Sequence, residues 1–438
     1  MGLFGNNTLL GASGTVSEYE IDRSLRFNHT DDAYLSRTFG TNSSNTTKTF
    51  SFWVKRSARF TDYTTICATT QDGNVESRLQ WSNGGALKFT DRDSSDGTTD
   101  INFYTTPVYR DSAGWYHVVL IIDTTNGTAA DRTRIYVNGS RVTDLTSVTN
   151  ASSSYAVSFM RSSAVNFIGV GAASGSDDFG GYLAEMHFLD GTIKEPDQFG
   201  ETNSDTGVWV PKEYTGGGYG NNGFYLNFSD NSAATATTLG KDSSGVGNNW
   251  TPTNLITGDS VGDTPTNNFA TLMIQRPPLE SGCTLTEGNL RFNSGTGTSA
   301  RNMNKTAMSN YLVNSGKWYA EFWFTTAGAG NFCGVCPYED KAGTQTSNGA
   351  IYAARFGNSG EKYIGDGVQS YPNNYWDHGS SYGDGDVIMV MLDMDSSPPR
   401  MYTGKNGQWA DGSGNDDEAA PNDYLTLGNN FLTTNASM

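Results

Sequence analysis

Charge is scarce in this chain. Only 17% of its 438 residues are Asp, Glu, Lys or Arg, yet mean hydropathy is −0.50. The polarity therefore comes from Asn, Ser, Thr and Gly, a surface that hydrogen-bonds without strong fields and suits an extracellular or particle-borne protein. Basic runs are absent: 28 Lys and Arg face 46 Asp and Glu, for a net charge of −18. Phosphate binding needs clustered cations, so neither nucleic acid nor an anionic membrane surface is expected as a partner, and the charge itself serves solubility. Cysteine is rare too. Cys67, Cys283, Cys333 and Cys336 are too few for a disulfide framework. Cys333 and Cys336 have redox or zinc spacing, but NFCGVCPY is an apolar strand-like run followed by Pro337. A redox pair opens a helix and zinc wants a second pair, so buried free thiols are expected.

Other signatures are missing. No apolar stretch is long enough to cross a bilayer, so no membrane insertion is expected. The opening MGLFGNNTLLGASG lacks the basic region and long apolar core of a secretory signal. The Asn-x-Ser/Thr triplets at Asn42, Asn45, Asn126, Asn138 and Asn227 are what chance supplies in so Asn- and Thr-rich a chain. A secreted character without an export signal leads to the expectation of assembly in a cytoplasm and release by lysis. No Ser-His-Asp order, phosphate loop or nucleotide fingerprint is present. His29, His117, His187 and His378 are dispersed, and His117 and His187 fall mid-strand, as satisfied core or interface residues rather than metal ligands.

Turn formers and aromatics are plentiful: Gly 52, Tyr 22, Phe 22 and Trp 9. Two phrases stand out. GWYHVVLIID followed by RTRIYVNGSRV (Gly114–Asp123, Arg132–Val142) and YGDGDVIMVMLDMD followed by PRMYTGKNGQW (Tyr382–Asp395, Pro399–Trp409) each end in strand, Asn-Gly, strand. That pattern predicts a tight hairpin, because both central residues of the turn need φ > 0. Two such units in a chain of this length predict an all-β fold of two jelly-roll-type β-sandwiches joined by an extended strap.

The expected boundaries are as follows. Residues 1–18 form an N-terminal arm, either a loose tail or a segment docked on a neighbouring subunit through Leu3, Phe4, Leu9 and Leu10. Residues 19–230 form the first sandwich, with strands at SLRFN, AYLSRTF, TFSFWVKRS, VNFIGVG and GYLAEMHFLDGT, a hairpin turning at Asn83-Gly84-Gly85, and one helical turn at KEPDQFG. GWYHVVLIID, apolar on both faces, is its central covered strand. NNGFYLNFSD near the end is expected to pair with SLRFN near the start. Residues 231–280 have no period but carry spaced apolar residues, Trp250, Leu255, Val261 and Phe269, and read as an ordered strap laid on a domain surface. Residues 281–438 form the second sandwich, in which a closing strand comes either from YLTLGNNFLTTNASM or from chain beyond Met438.

The succession TFSFWVK, GWYHVVLIID, RIYVNGSRV, NFIGVG, GYLAEMHFLD resembles the concanavalin A-like lectin/glucanase sandwich in its laminin-G and pentraxin branch. SGKWYAEFWF, the Cys333–Cys336 strand, YGDGDVIMVMLDMD and MYTGKNGQW resemble a SPRY domain. With the strap LGKDSSGVGNNWTPTN, the whole is similar to virion structural proteins of tailed, especially marine, bacteriophages. That resemblance implies a virion protein assembled in the host cytoplasm, a tail fibre or tail-associated host-recognition component. It implies contact with other virion proteins through the arm, a homo-oligomer such as a trimer, and a host surface glycan or protein as ligand. An architectural capsid decoration or connector is the alternative.

Three sets of residues bear on chemistry. The glucanase relatives need two carboxylates across the sugar. Glu20-Ile21-Asp22 begins such a motif, but Ser24 and Leu25 stand where the second glutamate belongs, so no enzyme activity is expected. Calcium, the usual ion of laminin-G and pentraxin sandwiches, wants six to eight oxygens. Asp91, Asp93 and Asp96 in DRDSSDG, with Asp177 and Asp178 in SGSDDFGG, are its candidate ligands. It is the one cofactor with a candidate site, and solvated acidic turns are the alternative. Finally, Tyr371, Asn373, Asn374, Tyr375, Trp376 and Asp377 form a loop of rings and amides. Such a loop can stack on sugars and read hydroxyls, or simply pack its own aromatics.

Overall fold

In the computed structural model, Asn138 and Gly139 sit at φ of 47° and 76°, and Asn406 and Gly407 at 49° and 89°. Both pairs are thus left-handed two-residue turns, the geometry that matches the twist of the strands they join. The structure describes residues 19–438 apart from 58–61, 72–74, 94–97, 173–176, 273–282, 294–306, 308, 311, 328–331, 338–351, 357–360, 365–374, 378–379, 412–414, 422–423, 427–435 and 438. Two compact units emerge, Met1–Phe269 with Thr286–Arg291, and Ala270–Leu285 with Phe292–Met438. The fold is all-β. Among the described residues the only helical pieces are single 3-10 turns at Ala129–Asp131, Pro196–Gln198 and Thr257–Asp259.

The first unit contains β1 (Ser24–Phe27), β2 (Tyr34–Thr38), β3 (Thr47–Arg56), β4 (Thr64–Thr70), β5 (Val75–Trp81), β6 (Ala86–Asp93), β7 (Ile101–Val108), β8 (Tyr116–Asp123) and β9 (Thr133–Val137). It continues with β10 (Ser140–Arg141), β11 (Leu145–Thr149), β12 (Val165–Ile168), β13 (Gly181–Asp190), β14 (Gly200–Thr202), β15 (Trp209–Pro211), β16 (Phe224–Leu226), β17 (Thr251–Thr253) and β18 (Ser260–Val261). One sheet runs β10-β9-β8-β3-β13-β1-β18, with β16 also on β13; the other runs β11-β7-β6-β5-β4-β12-β2-β17. Alternation sends Phe50, Phe52 and Val54, Val118, Leu120 and Ile122, and Leu183 and Phe188 inward from the first sheet, onto Ile66, Leu79, Leu87 and Phe89 of the second. β8 is covered on its other face as well, where Val119 and Ile121 pack with Tyr136 and Ile193.

The ends of the expected first sandwich meet differently from expectation. β1 and β16 do not pair with each other. Both lie on one edge of β13, with Leu25 opposite Leu183 and Phe224 opposite Phe188. Between them the register of β13 against β3 breaks between Ala184 and His187, and Glu185 takes φ 48°. This is a bulge, an extra residue that bends the strand and redirects a side chain. The free edge of β1 is taken by β18.

Residues 231–269 fold back onto this unit. Trp250 is fully buried, edge-on to Phe39 and Phe224 at ring distances of 5.7 and 5.0 Å. Asp242 accepts the amides of Tyr225, Ser244, Gly247 and Asn248, ordering a turn-rich stretch that has no period of its own. Further on, Lys55 donates to Asp263 at 2.9 Å, to Asn268 at 2.7 Å and to the Phe269 carbonyl at 2.7 Å.

Among the described residues the second unit has two six-stranded sheets. One orders Lys317–Trp323, Val387–Asp393, Arg400–Lys405, Gln408–Ala410 and Asp416–Glu418, with Tyr424–Thr426 also on Arg400–Lys405. The other orders Leu312–Val313, Ala436–Ser437, Phe332–Pro337, Tyr352–Phe356, Glu361–Ile364 and Tyr375–Asp377. The last segment of the chain thus contributes a strand to each sheet. Cys333 is buried, as is Cys67 of the first unit.

Candidate functional site

Polar chemistry collects on the outer face of the first sheet. The period-2 alternation that turns Phe50 and Phe52 inward leaves Ser51 and Trp53 of β3 facing outward, beside His117 of β8. The bulge at Glu185 adds Glu185 and His187 of β13. Phe199, Pro211 and Lys212 close over them from the β14–β15 hairpin region, and Tyr19 enters from the start of the described chain. Together they line a crevice too tight to admit a water molecule, far short of the 300–1,000 Å³ usual for ligand cavities.

Tyr19, Ser51, His117, Glu185 and His187 each have a protein partner in the crevice. His117 Nε2 lies 2.8 Å from Ser51 Oγ, while Trp209 Nε1 donates to His117 Nδ1 at 3.0 Å. The ring stacks on Trp53 with centroids 4.9 Å apart. Burial, with His187 nearby, pushes the His117 pKa down to about 3, so the ring is neutral. Glu185 accepts the hydroxyls of Tyr19 and Tyr225, both at 2.7 Å, and its carboxylate lies 3.6 Å from His187 Nε2. His187 Nδ1 meets the Tyr219 hydroxyl at 3.0 Å and the ring stacks on Tyr225 at 4.2 Å. Burial and the Glu185 charge raise both Tyr19 and Tyr225 far above the usual phenol range.

The Ser51–His117 pair has nucleophile–base spacing but the opposite tautomer. An indole donating to Nδ1 leaves the imidazole proton on Nε2, so His117 donates to Ser51 and cannot take its proton. Among the described residues the crevice holds a single carboxylate, Glu185, whereas sugar hydrolysis by the glucanase route needs two. Glu20 and Asp22 are exposed on either side of Ile21, which is buried against Trp53.

The carboxylates proposed for calcium are not brought together. Asp91 is fully buried on β6 and accepts the Ser158 and Phe159 amides at 3.0 and 2.9 Å and the Tyr155 hydroxyl at 2.8 Å. Its carboxyl is pushed up to about 6 by burial, which those donors oppose. Asp93 pairs with Arg161 at 2.7 Å and Asp177 with Arg78 at 2.7 Å. Asp178 is pushed up to about 6 by burial and by the hydrogen-bonded Asp32 carboxyl. Asp96 lies outside the described residues. Among the described residues no group of three His, Cys, Asp or Glu is placed to hold a metal ion. Of the expected recognition loop, Tyr371, Asn373 and Asn374 lie outside the described residues. Tyr375, Trp376 and Asp377 are not a loop but a strand paired with Glu361–Ile364, in keeping with the strand preference of aromatics.

Sequence reasoning identified His117 and His187 as satisfied residues but missed Glu185, Tyr19 and Trp209. The available signal was a lone glutamate inside the apolar strand GYLAEMHFLD.

Comparison with known proteins agrees with this fold. Residues 28–197 match the family model described as the concanavalin A-like lectin/glucanases superfamily, so this part of the chain is similar to a concanavalin A-like domain. No curated protein matches the chain. Among solved structures, a Bacteroides ovatus protein provisionally assigned to carbohydrate binding is 19% identical (TM-score 0.36), the match covering 53% of this chain and 58% of that one. The chain therefore spans less than two thirds of that protein. The native heptameric SAP-like pentraxin of Limulus polyphemus is 17% identical, with 40% and 78% covered and a TM-score of 0.29. Domain 4 of an extracellular arabinanase from Geobacillus stearothermophilus, in complex with arabinotriose, is 17% identical, with 44% and 82% covered and a TM-score of 0.29.

Proposed function

We propose that this protein is a non-catalytic, glycan-binding component of a tailed-phage virion, a tail fibre or tail-associated host-recognition protein. One observation carries the glycan-binding part. The segment matched by the lectin family folds as a sandwich whose crevice carboxylate, Glu185, is taken up by two tyrosines instead of facing a second acid. The virion part rests on the two-module arrangement with its strap and on the SPRY-like order of the second unit. There the Lys317–Trp323, Val387–Asp393 and Arg400–Lys405 strands sit side by side and close on Asn406-Gly407. In this reading the arm at residues 1–18 holds other virion proteins, the protein is assembled in the host cytoplasm, and a symmetric oligomer, a trimer among the options, multiplies weak single-site contacts.

Fluorescently labelled protein, tested with calcium and with a chelator, decorates host cells and loses them when surface glycans are stripped. Binding to purified capsids or tails with no attachment to cells assigns the protein instead to particle architecture. Release of reducing ends from β-glucan would make it a hydrolase and end the proposal.

A further inference from the structure

The second unit carries an aromatic face of its own. Along Lys317–Trp323, alternation turns Trp318 and Phe322 to the core and leaves Tyr319, Glu321 and Trp323 on the opposite side. Strand register extends this side across the sheet. Tyr319 lies opposite Met391 and Met391 opposite Tyr402, which in turn faces Tyr424. Glu321 lies opposite Met389, Met389 opposite Gly404, and Gly404 opposite Trp409. Met389 and Tyr402 are buried as the floor. Above them the Tyr319 and Trp409 rings meet edge to face at 6.1 Å, and Tyr424 meets Tyr402 at 5.6 Å. A side chain at Gly404 would strike the Met389 methyl and the Gln408 carbonyl, so glycine there keeps the surface flat. Trp323 remains 69% exposed, and Tyr424 40%.

Large rings held open to solvent on a rigid sheet are expensive to leave uncovered and mark a binding surface. The charges on this face decide the occupant. Lys317 and Arg400 stand beside Glu321 and Asp393, Lys317 Nζ lies 3.7 Å from Asp393, and the register sets Glu418 opposite Trp409. A face with no excess of positive charge, on a chain of net charge −18, suits an uncharged ligand. Polyanions would need clustered cations. The polar groups beside the rings are already fixed, Glu321 by the Tyr319 hydroxyl at 2.6 Å and the Arg400 guanidinium 4.2 Å over the Tyr424 ring.

We propose that this face binds a neutral saccharide chain, whose ring faces stack on Trp323 and Trp409 while its hydroxyls bond to Glu321 and Arg400. It is a second carbohydrate surface, built from residues that the lectin-like first unit does not supply.

The test is calorimetry on the full chain with cellohexaose, laminarihexaose and maltohexaose, together with tryptophan emission. At least one saccharide binds and shifts the emission. Trp323→Ala and Trp409→Ala each weaken that binding by roughly tenfold, while Trp323→Phe keeps most of it. Unchanged circular dichroism and melting are expected for Trp323→Ala, because the side chain is exposed. Wild-type binding that survives both alanine substitutions puts the sugar elsewhere and overturns this inference, leaving the reading of the first unit intact. Failure of all three saccharides to bind overturns it as well. So does self-association in the ultracentrifuge that Trp323→Ala abolishes, which would make a second copy the occupant.

Discussion

Trp209 donates its indole N–H to Nδ1 of His117 at 3.0 Å, and so fixes both the tautomer of the histidine and the seat of the β14–β15 hairpin. The ring fits because Gly139 and Gly200 flank it: a Cβ at either position would fall 2.4–2.7 Å from indole atoms. Trp209→Ala should cost about 3 kcal/mol, from lost packing and an unpaired buried nitrogen. Hydrogen exchange should accelerate in residues 200–211 before the rest of the unit. Gly200→Ala, at a position free of backbone constraint, should show the same local loosening. Uniform exchange across the unit in either variant would refute this seating role.

His117 also sets a pH dependence. Its folded pKa, about 3, lies below the unfolded value of 6.5. Between those values the unfolded chain binds the extra proton, so stability falls as pH drops from about 6.5 toward 3. The limiting loss is on the order of 5 kcal/mol. Urea denaturation at stepped pH should show this slope in the wild type and a shallower one in His117→Gln.

Lys55 and Asp263 form a buried ion pair at 2.9 Å that pins the strap to the outer face of β3. Burial drives both groups toward their neutral forms, and their pairing opposes it. Asp263→Ala leaves the ammonium uncompensated and should cost about 3–5 kcal/mol. The double variant Lys55→Met with Asp263→Leu should recover most of that loss in chemical denaturation.

Asp91 supplies a further test. With calcium absent or present, Asp91→Asn should lower the melting temperature alike, because its oxygens hold the Ser158 and Phe159 amides. A calcium-dependent difference between the two proteins would return Asp91 to the role of ligand.

Much of this architecture is legible in the chain because its signals are local. Alternation in TFSFWVK, two-faced burial in GWYHVVLIID and the Asn-Gly turns each specify a strand or hairpin within a dozen residues. What the chain hides is long-range. Asp91 and Asp93 look like free turn carboxylates until residues 155–161 return to occupy them. No local pattern announces that Glu185 adopts φ > 0, since the bulge follows from two strands competing for one edge of β13. The order of the strap likewise depends on Lys55, a residue about two hundred positions upstream.

The pairing of β1 with β18 has a bearing on how the protein is made. Because the sheet's first strand borders Ser260–Val261, a ribosome must release the chain through Val261 before that edge can close. Until then the nascent first unit exposes an open hydrogen-bonding rim, a state that favours pairing between neighbouring copies on a polysome.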